Sequence, residues 1–334
     1  MADASSGTDE RLKFIQTELV EVKKKVPEIP DTRLIAAVVD LIKVEIKKTD
    51  HKQVNITCLF PMKYPHEPLV VELGSKTLAF KLLMGLMSVC EAETKKLLGK
   101  PQVVHMMNFI KTFLDENPLC VCSEEISFIK KNLLTPEDEI KLKQKSSQIV
   151  LKFRQQNYFM NIVINVPETY PLMQITVEIA EHNLPEFLKV NFQAQSIEIA
   201  RRCVQPPLRK KPKDPPFVPK ASIRPVCEYL IRDCLKRYPL ESCPLCKKQI
   251  LPADPTELNR EVGIERVYCG HLFHFTCLDK YMKTPPFGAS KFCPLDKKQI
   301  FHQKWQVSAH VMEQRWAHKQ AKDRELEEVV DFLE

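Results

Sequence analysis

The sequence has no long run of apolar residues. No stretch approaches the roughly 20 apolar residues that a membrane-spanning helix needs, so we expect no membrane span. The first ten residues, MADASSGTDE, are small and polar and no apolar run follows them, so we also expect no secretory signal. We therefore expect an intracellular protein, cytoplasmic or nuclear, whose thiols are reduced.

The chain also lacks a strong net charge of either sign. Its 50 Lys and Arg against 43 Asp and Glu give a formal charge of +7 over 334 residues, and no RNA- or DNA-binding motif accompanies that mild excess. We therefore expect no nucleic-acid partner and keep zinc-dependent nucleic-acid binding as an alternative. Prolines in residues 206–220 predict an exposed linker. The basic cluster in that linker has a nuclear import signal as its alternative interpretation; it comprises Arg209, Lys210, Lys211 and Lys213.

Residues 243–296 contain five of the twelve cysteines together with two histidines, and the stretch ends on Asp296. A tetrahedral zinc ion takes four thiolate, imidazole or carboxylate donors, and a short gap lets one turn present both donors of a pair. Four pairs supply donors for two ions, whereas a finger with one ion would leave two pairs unexplained. The candidate pairs are Cys243/Cys246, Cys269/His271, His274/Cys277 and Cys293/Asp296.

This order of ligands resembles the RING finger of ubiquitin ligases, in the class with two central histidines. The family normally has cysteine as its eighth ligand, but aspartate is a competent zinc donor and some members use it last. Ligand pairs alternate in that family, and protein donors fill all four positions at each ion, so the resemblance implies two structural zinc ions. One would bind Cys243, Cys246, His274 and Cys277, and the other would bind Cys269, His271, Cys293 and Asp296.

The RING resemblance also implies a surface that binds a ubiquitin-conjugating enzyme. Leu245 lies inside the first pair, Tyr281 stands where the family often has tryptophan, on a short helix expected over 278–282, and Pro294 follows the seventh ligand. Lys297 lies where an arginine or lysine can contact both the enzyme and ubiquitin. A RING ligase forms no covalent intermediate with ubiquitin and only orients the thioester for a substrate lysine. The alternative is a non-enzymatic adaptor that zinc rigidifies.

The N-terminal third alternates between two hydrophobic periods. Helical spacing predicts an amphipathic helix over about 8–25, with Thr8 as a possible cap. Strict alternation then predicts strands near 42–46, 54–60 and 69–73. Helical spacing returns over 82–97 and 103–114, so the first domain is predicted as helix, antiparallel sheet and helices, ending near Asn117.

An internal repeat follows, in which residues 54–73 align without a gap on residues 160–179. After the second copy, helical spacing appears over 187–197 and 223–234, but no helix of good periodicity is predicted before it. We interpret the tyrosine of each copy as part of a structural turn, where its phenol caps local backbone groups. The shared positions include Asn55/Asn161, Pro61/Pro167, Tyr64/Tyr170 and Pro65/Pro171.

The first copy resembles an RWD domain, a relative of the ubiquitin-conjugating fold marked by Tyr64, Pro65 and Pro68. The second copy has Gln174 where Pro68 would fall, so it is identified as a divergent RWD-like domain. Conjugating activity needs a nucleophilic cysteine shortly after an oxyanion-stabilising asparagine. The first copy offers only Cys90, on an apolar helix face, and the second none before Cys203. Both copies are therefore predicted to be binding modules.

These observations predict an α+β protein with two RWD-like α/β sandwiches, a small zinc-bound RING finger and a C-terminal helix. The expected boundaries are 8–117 for the RWD domain, 118–238 for the divergent copy, 239–302 for the RING and 303–334 for the helix. A helical stripe of Trp305, Ala309, Met312 and Trp316 is expected to pack on the RING or on the RWD pair, with a dimerisation or partner helix as the alternative. The implied partners are a conjugating enzyme charged with ubiquitin and a protein substrate.

Overall fold

The computed structural model describes residues 3–207, 215–259, 263–286, 291–300, 305 and 309–333. The chain divides into two compact units. One comprises Met1–Phe153, Asn161–Glu181 and Lys189–Leu230, and the other Arg154–Met160, His182–Leu188 and Ile231–Glu334. Within the described ranges, no helix is both long and apolar enough to cross a membrane. The basic cluster at 209–213 lies outside the described residues.

The first sheet is a four-stranded antiparallel meander with helices before and after it. Strands β2 and β3 alternate buried and exposed side chains, as their sequence pattern requires. The core combines buried side chains of helix, sheet and helix, such as Ile15, Ile56 and Ile110. The elements are α1 (Asp3–Lys25), β1 (Thr32–Ala37), β2 (Leu41–Thr49), β3 (Lys52–Leu59), β4 (Val70–Gly74), α2 (Phe80–Lys95) and α3 (Val103–Glu116), with strand order β1-β2-β3-β4.

The predicted strands and helices of this region are all present, with two differences. Helix α1 begins at Asp3, so Thr8 lies inside the helix and is not its cap. Strand β1 was not predicted, because it is an edge strand whose residues are only partly buried and show no clean alternation. Cys90 is fully buried, which agrees with its expected place on an apolar helix face.

A second antiparallel sheet repeats this architecture with strand order β5-β6-β7-β8. Helix α4 precedes it, although the sequence there showed no helix of good periodicity. Only Ile126 and Ile129 of α4 are buried, so this ten-residue helix is too short to show a clear period. The elements are α4 (Ser123–Asn132), β5 (Glu139–Lys143), β6 (Gln148–Gln155), β7 (Tyr158–Asn165), β8 (Thr176–His182), α5 (Glu186–Val204) and α6 (Ile223–Cys227), which continues as a π-helix over Glu228–Leu235.

The tyrosine of the first copy binds a helix carboxylate. Tyr64 donates its hydroxyl proton to Glu18 Oε2 of α1 at 2.5 Å, across 46 residues of sequence. The other oxygen, Glu18 Oε1, accepts the backbone N–H groups of Gln102 and Val103, both at 2.7 Å. Glu18 therefore ties α1 to the Tyr-Pro turn and to the start of α3, and the expected capping of local backbone groups by the phenol was wrong.

The second copy uses the same pair of residue types. Tyr170 donates to Glu125 Oε2 of α4 at 2.5 Å and accepts the N–H of Ser222 at 2.8 Å. Glu125 Oε1 accepts the N–H of Arg224 at 2.8 Å. Each sheet is therefore joined to its preceding helix and to a following helix start by a Glu–Tyr pair, which is buried in the first copy and partly buried in the second.

Replacing Glu18 by alanine should strongly destabilise the first sheet. The substitution leaves the Tyr64 hydroxyl and two backbone N–H groups buried without an acceptor, at about 1–3 kcal/mol each. We expect the free energy of unfolding, measured by urea titration of the zinc-loaded chain, to fall by about 3 kcal/mol or more. The control Glu21→Ala, on the same helix, removes only a surface ion pair with Lys25 and should cost at most about 1 kcal/mol. Equal losses would contradict the assignment.

The stability contributed by Glu18 should depend on pH. Burial raises the pKa of Glu18 above the ordinary glutamate value, so the folded state holds this proton more tightly than the unfolded state does. The contribution of Glu18 to stability is fully present at pH values below the ordinary glutamate pKa. It is lost as the pH rises through the pKa that Glu18 has in the folded state. Unfolding free energies measured across this window should fall with pH for wild type relative to Glu18→Gln. A constant difference between the two would count against a raised pKa.

Candidate metal centre

The first group of predicted ligands forms a compact cluster. One ligand atom from each residue lies within 4.8 Å of the others in the set Cys243, Cys246, His274 and Cys277. His274 Nδ1 lies 3.3 Å from Cys246 Sγ and 3.9 Å from Cys277 Sγ. Tetrahedral zinc, with Zn–S of about 2.3 Å and Zn–N of about 2.0–2.1 Å, requires S···N separations of about 3.5 Å. The donors therefore fit a zinc ion.

A strand end, a helix start and one loop bring these four donors together. His274 ends β10 (Leu272–His274), which pairs antiparallel with β9 (Ile264–Arg266). Cys277 lies in the first turn of α7 (Phe275–Met282). His274 Nε2 is 3.0 Å from the carbonyl oxygen of Gln249, so Nε2 carries the proton and Nδ1 faces the thiols.

The second group is Cys269, His271, Cys293 and Asp296, whose ligand atoms also lie within 4.8 Å of one another. His271 Nδ1 lies 3.3 Å from Cys269 Sγ and 3.5 Å from Cys293 Sγ. Its distance to Asp296 Oδ2 is 3.9 Å. Gly270 has φ 94°, a left-handed conformation that favours glycine and turns both neighbouring donors toward the same point. This set also fits zinc.

Backbone amides and burial act on the donors in opposite directions. The N–H of Lys248 lowers the pKa of the Cys246 thiol to about 7. Burial raises the pKa of Cys277 to about 11. Burial opposes ionisation of Asp296, but the N–H of Lys298 and neighbouring donors hold the pKa of this carboxyl below its usual value. Zinc binds the deprotonated forms, so a bound cation would favour ionisation of the Cys277 thiol.

The structure brings all eight predicted ligands into two groups with alternating pairs. Each group contains the four ligands that the RING resemblance implies for one ion. Helix α7 begins at Phe275, three residues before the expected start. The first and the last of the four ligand pairs each lie on a loop. We name these loops the first knuckle, residues 243–250, and the second knuckle, residues 293–300.

The four predicted docking residues lie on the knuckles and on α7. Leu245, Tyr281 and Pro294 are half-buried, and Lys297 is exposed. Tyr281 donates its hydroxyl proton to the carbonyl oxygen of Phe292 at 3.1 Å. This hydrogen bond links α7 to the residue before the second knuckle.

Sequence reasoning missed one residue of this region. Leu295 occupies in the second knuckle the place that Leu245 has in the first, and it is 56% exposed. The signal that would have found it is the repeated Cys-Pro-Leu of the two knuckles. Leu295 is therefore an exposed apolar side chain beside Pro294.

The helix predicted at the C-terminus is present, but it does not include every residue of the predicted stripe. Helix α8 spans Ala309–Leu333, so Trp305 precedes the helix and does not belong to it. Trp305 Nε1 donates to Asp279 Oδ1 of α7 at 3.0 Å, and its ring stacks on Phe275 with centroids 6.0 Å apart. Trp305 is therefore fixed on the helix that carries Cys277.

Comparison with known proteins gives partial similarity. No family model matches the chain. RING-box protein 1B from Drosophila melanogaster is 29% identical over 72 residues, which make up 20% of this chain and 55% of the relative. The chain thus spans about half the length of the curated relative that it matches.

The zinc content of the purified chain tests whether Asp296 is a metal ligand. We expect native mass spectrometry to find two zinc ions in the wild-type chain and a fall towards one in Asp296→Ala, because one of four donors is lost. Asp323→Ala, on an exposed part of α8, is the control and should retain two ions. A wild-type chain with one zinc ion would argue against the second site.

Proposed function

We propose that the chain is a RING-type ubiquitin ligase. It would bind a ubiquitin-conjugating enzyme charged with ubiquitin and orient the thioester for attack by a lysine of a protein substrate. The observation that carries this proposal is the pair of alternating four-donor groups, each with atoms within 4.8 Å of one another. The partial similarity to RING-box protein 1B supports it.

Two zinc ions would be structural in this ligase. Cys243, Cys246, His274 and Cys277 would hold one, and Cys269, His271, Cys293 and Asp296 the other. Each set supplies four protein donors, which leaves no open position for a water or a substrate. The role of the ions would be to fix the two knuckles and α7, whose side chains then bind the partner.

The proposed docking surface consists of Leu245, Tyr281, Pro294 and Leu295. Leu245 and Leu295 supply aliphatic contacts from matching positions of the two knuckles. The Tyr281 hydrogen bond to Phe292 holds the aromatic ring in place. Half-buried apolar side chains on a rigid frame suit an interface, since little conformational entropy is lost on binding.

Lys297 would restrain ubiquitin in an attack-ready pose. Its backbone N–H bonds to the carbonyl oxygen of Cys293 at 2.9 Å and its φ is 58°, so the backbone at this position is fixed by the knuckle. The side chain is exposed and carries a positive charge. A lysine is a weaker clamp than an arginine, because it lacks the planar fork of the guanidinium.

The two sheets would act as RWD-type binding modules for partners or substrate. Each has a helix, a four-stranded meander and a Tyr-Pro turn in the same order. Burial raises the pKa of Cys90 to about 11 and also raises the pKa of Cys203. Neither thiol is therefore suited to a covalent role in ubiquitin transfer.

Leu245→Ala should separate a ligase from a non-enzymatic adaptor. We expect ubiquitin transfer with a panel of conjugating enzymes to fall about tenfold or more, as for truncation of an interface anchor. Fold and zinc content should remain. The control Leu240→Ala alters a 56% exposed leucine of the same unit and should keep its activity. An unchanged transfer rate in Leu245→Ala would favour the adaptor.

Lys297→Ala should lower the rate of ubiquitin discharge more than it weakens enzyme binding. Removing an exposed charge pair costs up to about 1 kcal/mol, which corresponds to a discharge rate that is about fivefold lower. Lys247 is the matched control, since it has φ 62° at the same position of the first knuckle. Lys297→Arg should discharge ubiquitin faster than wild type. Equal effects of Lys247→Ala and Lys297→Ala in single-turnover discharge would refute this role.

A further inference from the structure

The two knuckles are near-identical in sequence. Residues 243–250 read CPLCKKQI and residues 293–300 read CPLDKKQI, so seven of eight positions agree. The one difference falls on a predicted metal ligand, which is Cys246 in the first knuckle and Asp296 in the second. The chain thus contains a matched pair of sites that differ at one donor within the knuckles.

The backbone of the two knuckles is also the same. The N–H of Lys247 bonds to the Cys243 carbonyl at 2.8 Å, and the N–H of Lys297 bonds to the Cys293 carbonyl at 2.9 Å. In both, the N–H of the first cysteine bonds at 2.8 Å to the carbonyl five residues on. Isolated bridges Ser242↔Gln249 and Phe292↔Gln299 close each loop. Differences between the sites therefore come from the donors and their neighbours.

The donors make the second site weaker for zinc. The first group offers three thiolates and one imidazole, whereas the second offers two thiolates, one imidazole and one carboxylate. Zinc is a borderline-soft ion, and thiolates are its softer and stronger partners in structural sites. The Lys298 ammonium lies 3.6 Å from Asp296 Oδ2 and competes for the oxygen that faces the cluster.

The surroundings of the two histidines add to this difference. The Gln249 carbonyl orients His274 in the first group. Among the described residues, His271 has no carbonyl partner of this kind. Outer hydrogen bonds of this type typically change metal affinity by about 10–100-fold.

We infer that the two sites hold zinc with unequal strength and that the Asp296 site releases its ion first. The inference rests on the proposed zinc-binding function and extends it to regulation. Pro294, Leu295 and Lys297 all lie on the second knuckle. Loss of the weaker ion would therefore disable the proposed docking surface while the first group stays intact. Transfer activity would then be lost when this ion leaves and restored when free zinc is added back.

The test is zinc release from the full chain into excess chelator, followed with a chromogenic zinc indicator and by native mass spectrometry. We expect two phases of one equivalent each, with rates about tenfold or more apart, and a one-zinc species between them. Asp296→Cys should slow the fast phase and remove the one-zinc species. Lys298→Ala should slow the fast phase less, and the matched control Lys248→Ala should change neither phase.

Release of two equivalents in a single phase would overturn the inference and leave the proposed function standing. A fast phase unaltered in Asp296→Cys would do the same, because the fast ion would then belong to the first group. A wild-type chain that holds no zinc would instead overturn the proposed function itself. These readouts need no ubiquitin transfer, so the two failures are distinguishable.

Discussion

The alternation of the ligand pairs is the constraint on which the zinc-binding region depends. The first group joins Cys243 and Cys246 to His274 and Cys277, and the second group takes its first pair from the chain between them. Neither group can close within one local segment. The β9–β10 hairpin, α7 and the second knuckle must therefore be placed together. A region with so small an apolar core relies on such cross-links for its fold.

The two sheets solve a similar problem with buried hydrogen bonds. Each is joined to the helix before it by a Glu–Tyr pair whose two residues lie more than forty positions apart in the sequence. A buried carboxylate is costly unless its oxygens are fully paired. Glu18 meets this condition with the Tyr64 hydroxyl and two amides at the start of α3. The cost of leaving any of these groups unpaired is what makes the arrangement specific.

Local patterns in the sequence predicted the features whose cause is local. Strict alternation predicted β2 and β3, and short ligand spacings predicted all four metal pairs. The edge strand β1 and the short helix α4 were missed because few of their residues are buried. The partner of Tyr64 could not be read from sequence, since Glu18 is 46 residues away and nothing in its own neighbourhood marks it.

Reactive groups of the proposed ligase would come from its partner. Protein donors complete both metal groups. The two cysteines that could be compared with a conjugating nucleophile, Cys90 of α2 and Cys203 of α5, both have a raised pKa. The contribution of the chain is then orientation, which is worth several kcal/mol only when the bound geometry is rigid. Leu245 lies on one knuckle and Lys297 on the other, so their spacing depends on both metal groups and on the Tyr281 hydrogen bond to Phe292. In the proposed ligase, a weaker second site would therefore be the point at which orientation, and with it transfer, is lost without unfolding the first.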